Sequence, residues 1–284
     1  MKKTAKDYPA ITQVSRDARE KKKLFLRYQP QISLVSGGAI KDLFLRYQPQ
    51  ISLVTGGVVA AEALIGWNHP EIGPLASGNF LLLAEEKDLI VPIGDWVVEK
   101  VCRQIKSWQE QGLRPPCVSI NVSLQQFELG DVVQTITGAL KSFGVSPALI
   151  GVEIRESTLT DGSALVLDAL HKLNAVGINI ALDHFGTGYS SFADFKNNSL
   201  IEELKIDKFF ISDIAHNPDD AAIVSSIIAM AQRLGLVVVA EGVEAREQAD
   251  TLKRLGCDIG QGFYFSKPLQ AEEMAAFLAG QRFL

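Results

Sequence analysis

The chain has 284 residues, 47% of them hydrophobic, enough for one large core or two small ones. Net charge is −5; the first 23 residues hold eight Lys/Arg against three Asp/Glu, a balance of +5, which leaves −10 on the remainder. A body that acidic argues against a general binder of polymeric nucleic acid and suits a carboxylate-rich site that holds cations. Cys102, Cys117 and Cys257 are odd in number and widely spaced, which excludes a disulfide framework or a CxxC pair and points to a reducing compartment.

In chain order, residues 1–42 form a basic N-terminal extension, helical near Ser15 to Lys23 and otherwise a solvated linker, with a nucleic-acid or membrane arm as the alternative. It lacks the apolar centre of a signal peptide, and apolar runs such as Leu236–Ala240 are strand-sized. The expectation is a cytoplasmic chain with no membrane span, able to serve as the output domain behind an upstream sensory domain. A near-perfect repeat follows: residues 24–38 read LFLRYQPQISLVSGG and residues 43–57 read LFLRYQPQISLVTGG. Each resembles a strand closed by a Gly-Gly turn. The second copy runs directly into the next apolar run, so it should enter the sheet as a hairpin. The first copy reads as a segmental duplication.

From residue 43 to residue 284 the pattern is that of one barrel domain. Strands are expected at 43–54, 58–65, 116–121, 149–154, 178–183, 202–206, 236–241 and 257–260. Helical periodicity fills 78–86, 91–111, 124–143, 162–176, 217–234, 244–255 and 270–280. Strict alternation with eight strands predicts an α/β fold, a TIM-like (β/α)8 barrel whose hairpin start makes the first strand antiparallel.

Each apolar strand ends in a polar residue: Glu62, Asn121, Glu153, Asp183, Asp207, Glu241 and Gln261. In a barrel these ends converge on one face. Five carboxylates and an amide oxygen packed together repel one another unless cations lie between them, and oxygen donors without cysteine pairs favour Mg²⁺ or Mn²⁺. Taken singly, any of these acids reads as a solvated loop carboxylate or a helix cap. Taken together, their placement points to two-metal hydrolysis of a phosphodiester.

The segments Glu62-Ala63-Leu64, Ser119-Ile120-Asn121-Val122-Ser123, Glu153-Ile154-Arg155-Glu156-Ser157, Asp183-His184-Phe185-Gly186-Thr187-Gly188-Tyr189-Ser190-Ser191, Leu204-Lys205-Ile206-Asp207, Ala240-Glu241-Gly242-Val243-Glu244 and Gly260-Gln261-Gly262-Phe263 resemble, in order, the EAL domain family. The resemblance spans about residues 43–280. It implies hydrolysis of cyclic di-GMP to linear pGpG with two Mg²⁺ or Mn²⁺ ions. It also implies metal ligation by Glu62, Asn121, Glu153, Asp183, Asp207 and the residue at His184. Glu241 and Lys205 would be the catalytic pair beside the attacking water. Gln48, Leu64, Gln261 and Glu244 would line the substrate pocket, and Glu156 would anchor the loop after Asp183. A homodimer is a further expectation from the resemblance.

Three residues depart from the family pattern. Gly66 stands where an arginine that clamps a substrate phosphate is expected. His184 replaces a second aspartate, and reads either as a ligand better suited to Mn²⁺ than Mg²⁺ or as a packed loop histidine. Arg155 replaces a small hydroxyl residue; it either pairs with Glu153 or Glu156 or points to solvent. Lys205 reads as a charge partner or a snorkelling lysine. These departures leave a second reading: a catalytically silent domain that binds cyclic di-GMP or a protein partner.

Overall fold

The computed structural model describes residues 42–69, 73–76, 81, 84–85, 89–160, 164–186 and 200–280. The basic extension with the first repeat copy, most of the helix expected over 78–86, and the turn from Thr187 onward lie outside the described residues.

The second repeat copy enters the sheet as β1 (Leu43–Ser52) and turns back into β2 (Val58–His69) in antiparallel register, with Gln48 opposite Glu62. A four-residue β3 (Gly73–Ala76) pairs with the far end of β2. Then come β4 (Cys117–Asn121), β5 (Ile150–Arg155), β6 (Asn179–Phe185), β7 (Glu203–Ile206), β8 (Val237–Ala240) and β9 (Ile259–Gly260). β2 and β4 to β9 run parallel in sequence order, and β1 closes the ring by pairing antiparallel with both β2 and β9. Eight strands therefore form the closed barrel that the alternation predicted, with the first strand reversed.

The period-2 alternation of a strand sorts its side chains. In β7, Leu204 and Ile206 join the apolar layer beneath the helices, while Glu203 and Lys205 take the opposite, inward face. The outer layer comprises α1 (Ile90–Glu110), α2 (Leu124–Leu129), α3 (Val132–Phe143), α4 (Glu156–Thr160), α5 (Ala164–Ala175), α6 (Lys208–Ile211), α7 (Pro218–Arg233), α8 (Arg246–Leu255) and α9 (Ala271–Gly280). Trp108 of α1 is fully buried. It meets Tyr47 of β1 edge to face at 5.0 Å and donates its indole N–H to the Ala271 carbonyl at 3.2 Å, tying the first strand to the last helix.

The expected helix over 124–143 is two helices. Gly130 closes α2, and Asp131 caps α3 by accepting from the Gln134 N–H at 2.9 Å. β3 was not foreseen from the sequence; its Gly73-Pro74 start reads as a breaker, and a proline is tolerated there because the strand is short and at an edge. α6 begins at Asp207, which accepts from the Phe209 N–H at 2.7 Å and so caps its own short helix.

Candidate active site

Lys205 organises the inward face. It has no exposed surface, and its Nζ lies 2.5 Å from Glu153 Oε2, 2.8 Å from Glu241 Oε1, 3.1 Å from Glu62 Oε2 and 3.6 Å from Asp183 Oδ1. Four strands and the residue just after a fifth thus deliver one ammonium and four carboxylates to one point. This excludes the snorkelling reading of Lys205. Burial alone would discharge the lysine, but the surrounding acids outweigh it and hold its pKa well above the usual value.

The acids divide. Burial opposes the charge on Glu62, yet Lys205 and hydrogen bonds from Gln261 (2.6 Å to Oε2) and Asn121 (2.7 Å to Oε1) hold its carboxyl below the ordinary range. Burial and the neighbouring Glu62 push Glu153 well above that range, against the pull of Lys205. Burial raises Glu241 to about 7, with Asp183 and Glu62 adding to it and Lys205 opposing. One positive charge does not balance four negative ones in a dry interior, so protons or cations must supply the rest.

Asp183 and His184 stand at the end of β6. His184 has a left-handed backbone (φ 56). This region is rare for side-chain-bearing residues, though histidine is among those enriched there. Its N–H donates to Asp183 Oδ1 at 2.9 Å. The ring bridges two acids, with Nδ1 2.5 Å from Asp207 Oδ2 and Nε2 3.4 Å from Asp183 Oδ2. Burial would lower the histidine pKa, but Asp183, Asp207 and Glu241 raise it above the usual value. Asp207, opposed by burial, is held low by the Phe209 N–H and by His184.

The remaining expected residues place themselves clearly. Gln261 donates to Gln48 Oε1 at 3.3 Å as well as to Glu62, and accepts from Gln50 Nε2 at 2.8 Å. Leu64 is half-buried on β2, two residues beyond Glu62 on the same face. Glu156 accepts from the Gly186 N–H at 3.3 Å. Gly186 has φ 94, and an added Cβ would lie 2.8 Å from the Phe210 ring, so glycine is needed at that turn. Glu244 is exposed; its N–H is held by Gln248 Oε1 at 2.7 Å, and no described contact joins its side chain to the cluster. Arg155 is exposed and forms no ion pair among the described residues, which leaves the solvent reading.

Two participants were missed in the sequence. Gln50 shares the inward face with Gln48, a relation that the i, i+2 spacing could have flagged. Glu203 lies one step below Lys205 on β7, 6% exposed, with Oε1 unpartnered among the described residues; burial raises it to about 7.

The donor set fits divalent cations. Asp183, His184 and Glu241 each offer a ligand atom within 4.8 Å of the others. Glu153 Oε1 is buried with no hydrogen-bond partner among the described residues. A buried carboxylate oxygen left bare, while its twin Oε2 is held by Lys205, is what a cation would satisfy.

A profile of the EAL domain matches residues 38–268. The chain is 41% identical over 264 residues to the bifunctional diguanylate cyclase/cyclic di-GMP phosphodiesterase MucR of Pseudomonas aeruginosa, covering 93% of this chain and 36% of that protein. It is 36% identical over 268 residues to the cyclic di-GMP phosphodiesterase NbdA of the same organism, covering 94% of this chain and 32% of that protein. The chain thus spans about a third of the length of these relatives. Among solved structures, the P. aeruginosa MucR phosphodiesterase in complex with c-di-GMP superposes with a TM-score of 0.78 at 38% identity, over 93% of this chain and 99% of that one. The EAL domain of Mycobacterium smegmatis DcpA does so with 0.71 at 35%, over 88% and 100%. The chain belongs to the EAL domain family.

Proposed function

We propose that the chain hydrolyses cyclic di-GMP to linear pGpG with two divalent ions, Mg²⁺ or Mn²⁺. The observation that carries this reading is the Lys205 cluster at the strand ends, with the bare, buried Glu153 Oε1 beside it. Glu62, Asn121, Glu153, Asp183, His184 and Asp207 would hold the ions. When bound, such ions lower the pKa of a water and neutralise phosphate oxygens.

The chain's own residues do the rest. Glu241, with a pKa near neutral, is suited to take a proton from the attacking water, and Lys205 fixes its carboxylate at 2.8 Å. Water adds to phosphorus, the P–O3′ bond breaks, and the 3′ oxygen leaves with a proton. Gln48, Leu64, Gln261 and Glu244 are assigned to the substrate pocket, and Glu156 to holding the loop through Gly186.

The proposed setting is the bacterial cytoplasm, behind an upstream sensory domain, since the relatives are about three times longer. No helix among the described residues is long and apolar enough to cross a membrane. Pairing of two copies is also proposed, supported by a mostly apolar groove along α7 lined by Ala222, Ile223, Ser226, Ile227 and Met230.

A second reading, a silent receptor for the nucleotide, is favoured by Gly66 and by the engagement of His184 with two acids. Incubation of the protein with cyclic di-GMP in Mg²⁺ and, separately, Mn²⁺ distinguishes the two. Formation of pGpG is expected. Nucleotide bound without product in either metal would establish the receptor.

A further inference from the structure

The hairpin register carries one more assignment. Pairs descend from the mouth of the barrel as Phe44 with Gly66, Arg46 with Leu64, Gln48 with Glu62 and Gln50 with Ala60. Period 2 puts Phe44, Arg46, Gln48 and Gln50 on one face of β1. That face is the one that looks into the acid cluster, because Gln48 and Gln50 both bond Gln261, which bonds Glu62. Arg46 therefore lies one layer above Gln48, toward the open end.

A Cβ built on Gly66 would overlap the Phe44 ring, so that ring fills the space over the glycine. The Arg46 guanidinium sits 5.6 Å from the centroid of the same ring, within cation–π range. Diagonal neighbours in an antiparallel pair lie about 7–8 Å apart, within reach of a long side chain. A guanidinium from Arg46 resting on Phe44 thus occupies the neighbourhood into which an arginine at position 66 would project.

The charge on Arg46 is not spent. It is half-buried, its one described hydrogen bond is Nη1 to the Pro268 carbonyl at 3.4 Å, and no carboxylate pairs with it among the described residues. Lys205, by contrast, is committed to four acids. An anionic diester entering this pocket meets a strongly negative wall and needs a cation on the open side; a guanidinium with free N–H donors matches a phosphate in geometry and charge.

We propose that Arg46 is the phosphate-binding cation of the substrate pocket, positioned by Phe44 across Gly66 and standing in for the side chain that Gly66 lacks. The assignment rests on the reading of cyclic di-GMP as the ligand.

Binding is measured by calorimetry with cyclic di-GMP in a Glu241→Gln background that blocks turnover, and kcat and KM are measured in Mn²⁺ without that change. Arg46→Ala should raise Kd and KM by roughly 10- to 100-fold, the scale of one lost charge-assisted contact, with kcat within a few-fold. Arg46→Lys should fall between. The triple variant Phe44→Ala, Arg46→Ala, Gly66→Arg, which clears the ring and returns the guanidinium from β2, should recover most of the loss. Should Arg46→Ala lose its thermal transition, Arg46→Gln and Arg46→Lys carry the comparison.

Unchanged Kd and KM in the Arg46 variants, or a loss in kcat alone, would overturn the assignment while leaving the phosphodiesterase reading intact. Wild type that binds but forms no pGpG, with binding weakened by Arg46→Ala, would keep the assignment and remove the turnover. Wild type that binds no cyclic di-GMP would remove both.

Discussion

The two halves of the acid cluster are built differently. Around Lys205, the carboxylates of Glu62 and Glu153 are buried and placed by strand register, and that of Glu241, just past the end of β8, is mostly buried beside them. Around His184, the side chain is 43% exposed, the backbone is left-handed, and Asp207 divides its carboxylate between the imidazole and the cap of α6. The first half is fixed by the sheet. The second is fixed by local hydrogen bonds at strand ends, so it can tolerate the replacement of an expected aspartate by histidine without disturbing the barrel. Removing the cation that holds the first half together should cost fold and activity together; substitutions in the second half should change activity and metal preference with little effect on stability.

The largest effect is expected for Lys205→Met. Removing the Lys205 charge leaves several buried carboxylates without their counter-charge, a loss of about 3–5 kcal/mol, read as a fall in the denaturant midpoint together with loss of turnover. Glu241→Gln should separate the two properties. It keeps shape and relieves a crowded charge, so stability should hold or rise, while hydrolysis should fall by roughly 10²–10⁴-fold if this group takes the proton. Undiminished turnover in the Glu241→Gln variant would remove this residue from the water side.

A further test of the buried half concerns Glu203. Its carboxyl is raised from 4.5 to about 7 by burial. A folded-state acid that binds its proton more tightly than the unfolded chain stabilises the fold at low pH, and that contribution is lost as pH rises from about 4.5 to 7. Above pH 7 the penalty is on the order of 3 kcal/mol. Glu203→Gln should therefore raise the melting temperature at pH 8 and leave it nearly unchanged at pH 4.5; equal shifts at both values would show that folding does not raise the Glu203 pKa.

The effect on the exposed half is smaller. His184→Asp should raise Mg²⁺-supported turnover by roughly tenfold, the scale of one charge-assisted contact, with the melting temperature nearly unchanged because aspartate also tolerates a positive φ. A fall in turnover would show histidine to be an adapted ligand. Arg155→Thr, on an exposed side chain without an ion pair among the described residues, should alter KM by less than about twofold.

This contrast also explains what the sequence could and could not convey. The barrel and its reversed first strand were readable because apolar runs alternate with helical periodicity and Gly56-Gly57 turns the second repeat copy back on itself. The acids at the strand ends were readable because each closes an apolar run. The helix break at Gly130-Asp131 was hidden, since apolar periodicity continues through it while the Asp131 cap acts locally. Glu203 was hidden because inward and outward positions on β7 cannot be told apart until its neighbours are known. The pairing of Phe44 with Gly66 depends on hairpin register, which a run of residues does not reveal, so the loss of an arginine at position 66 was visible and the Arg46 guanidinium beside it was not.

The central claim is that Glu153 and its neighbours form a cation site on the inward face of the barrel. Titration of Mn²⁺ into the metal-stripped protein, followed by electron paramagnetic resonance, tests it most directly when wild type and Glu153→Gln are run side by side. The account predicts saturable binding in wild type and a loss of at least one site, or a large drop in affinity, in the variant with its fold intact. Identical Mn²⁺ binding by the two proteins, or none by wild type, would contradict it.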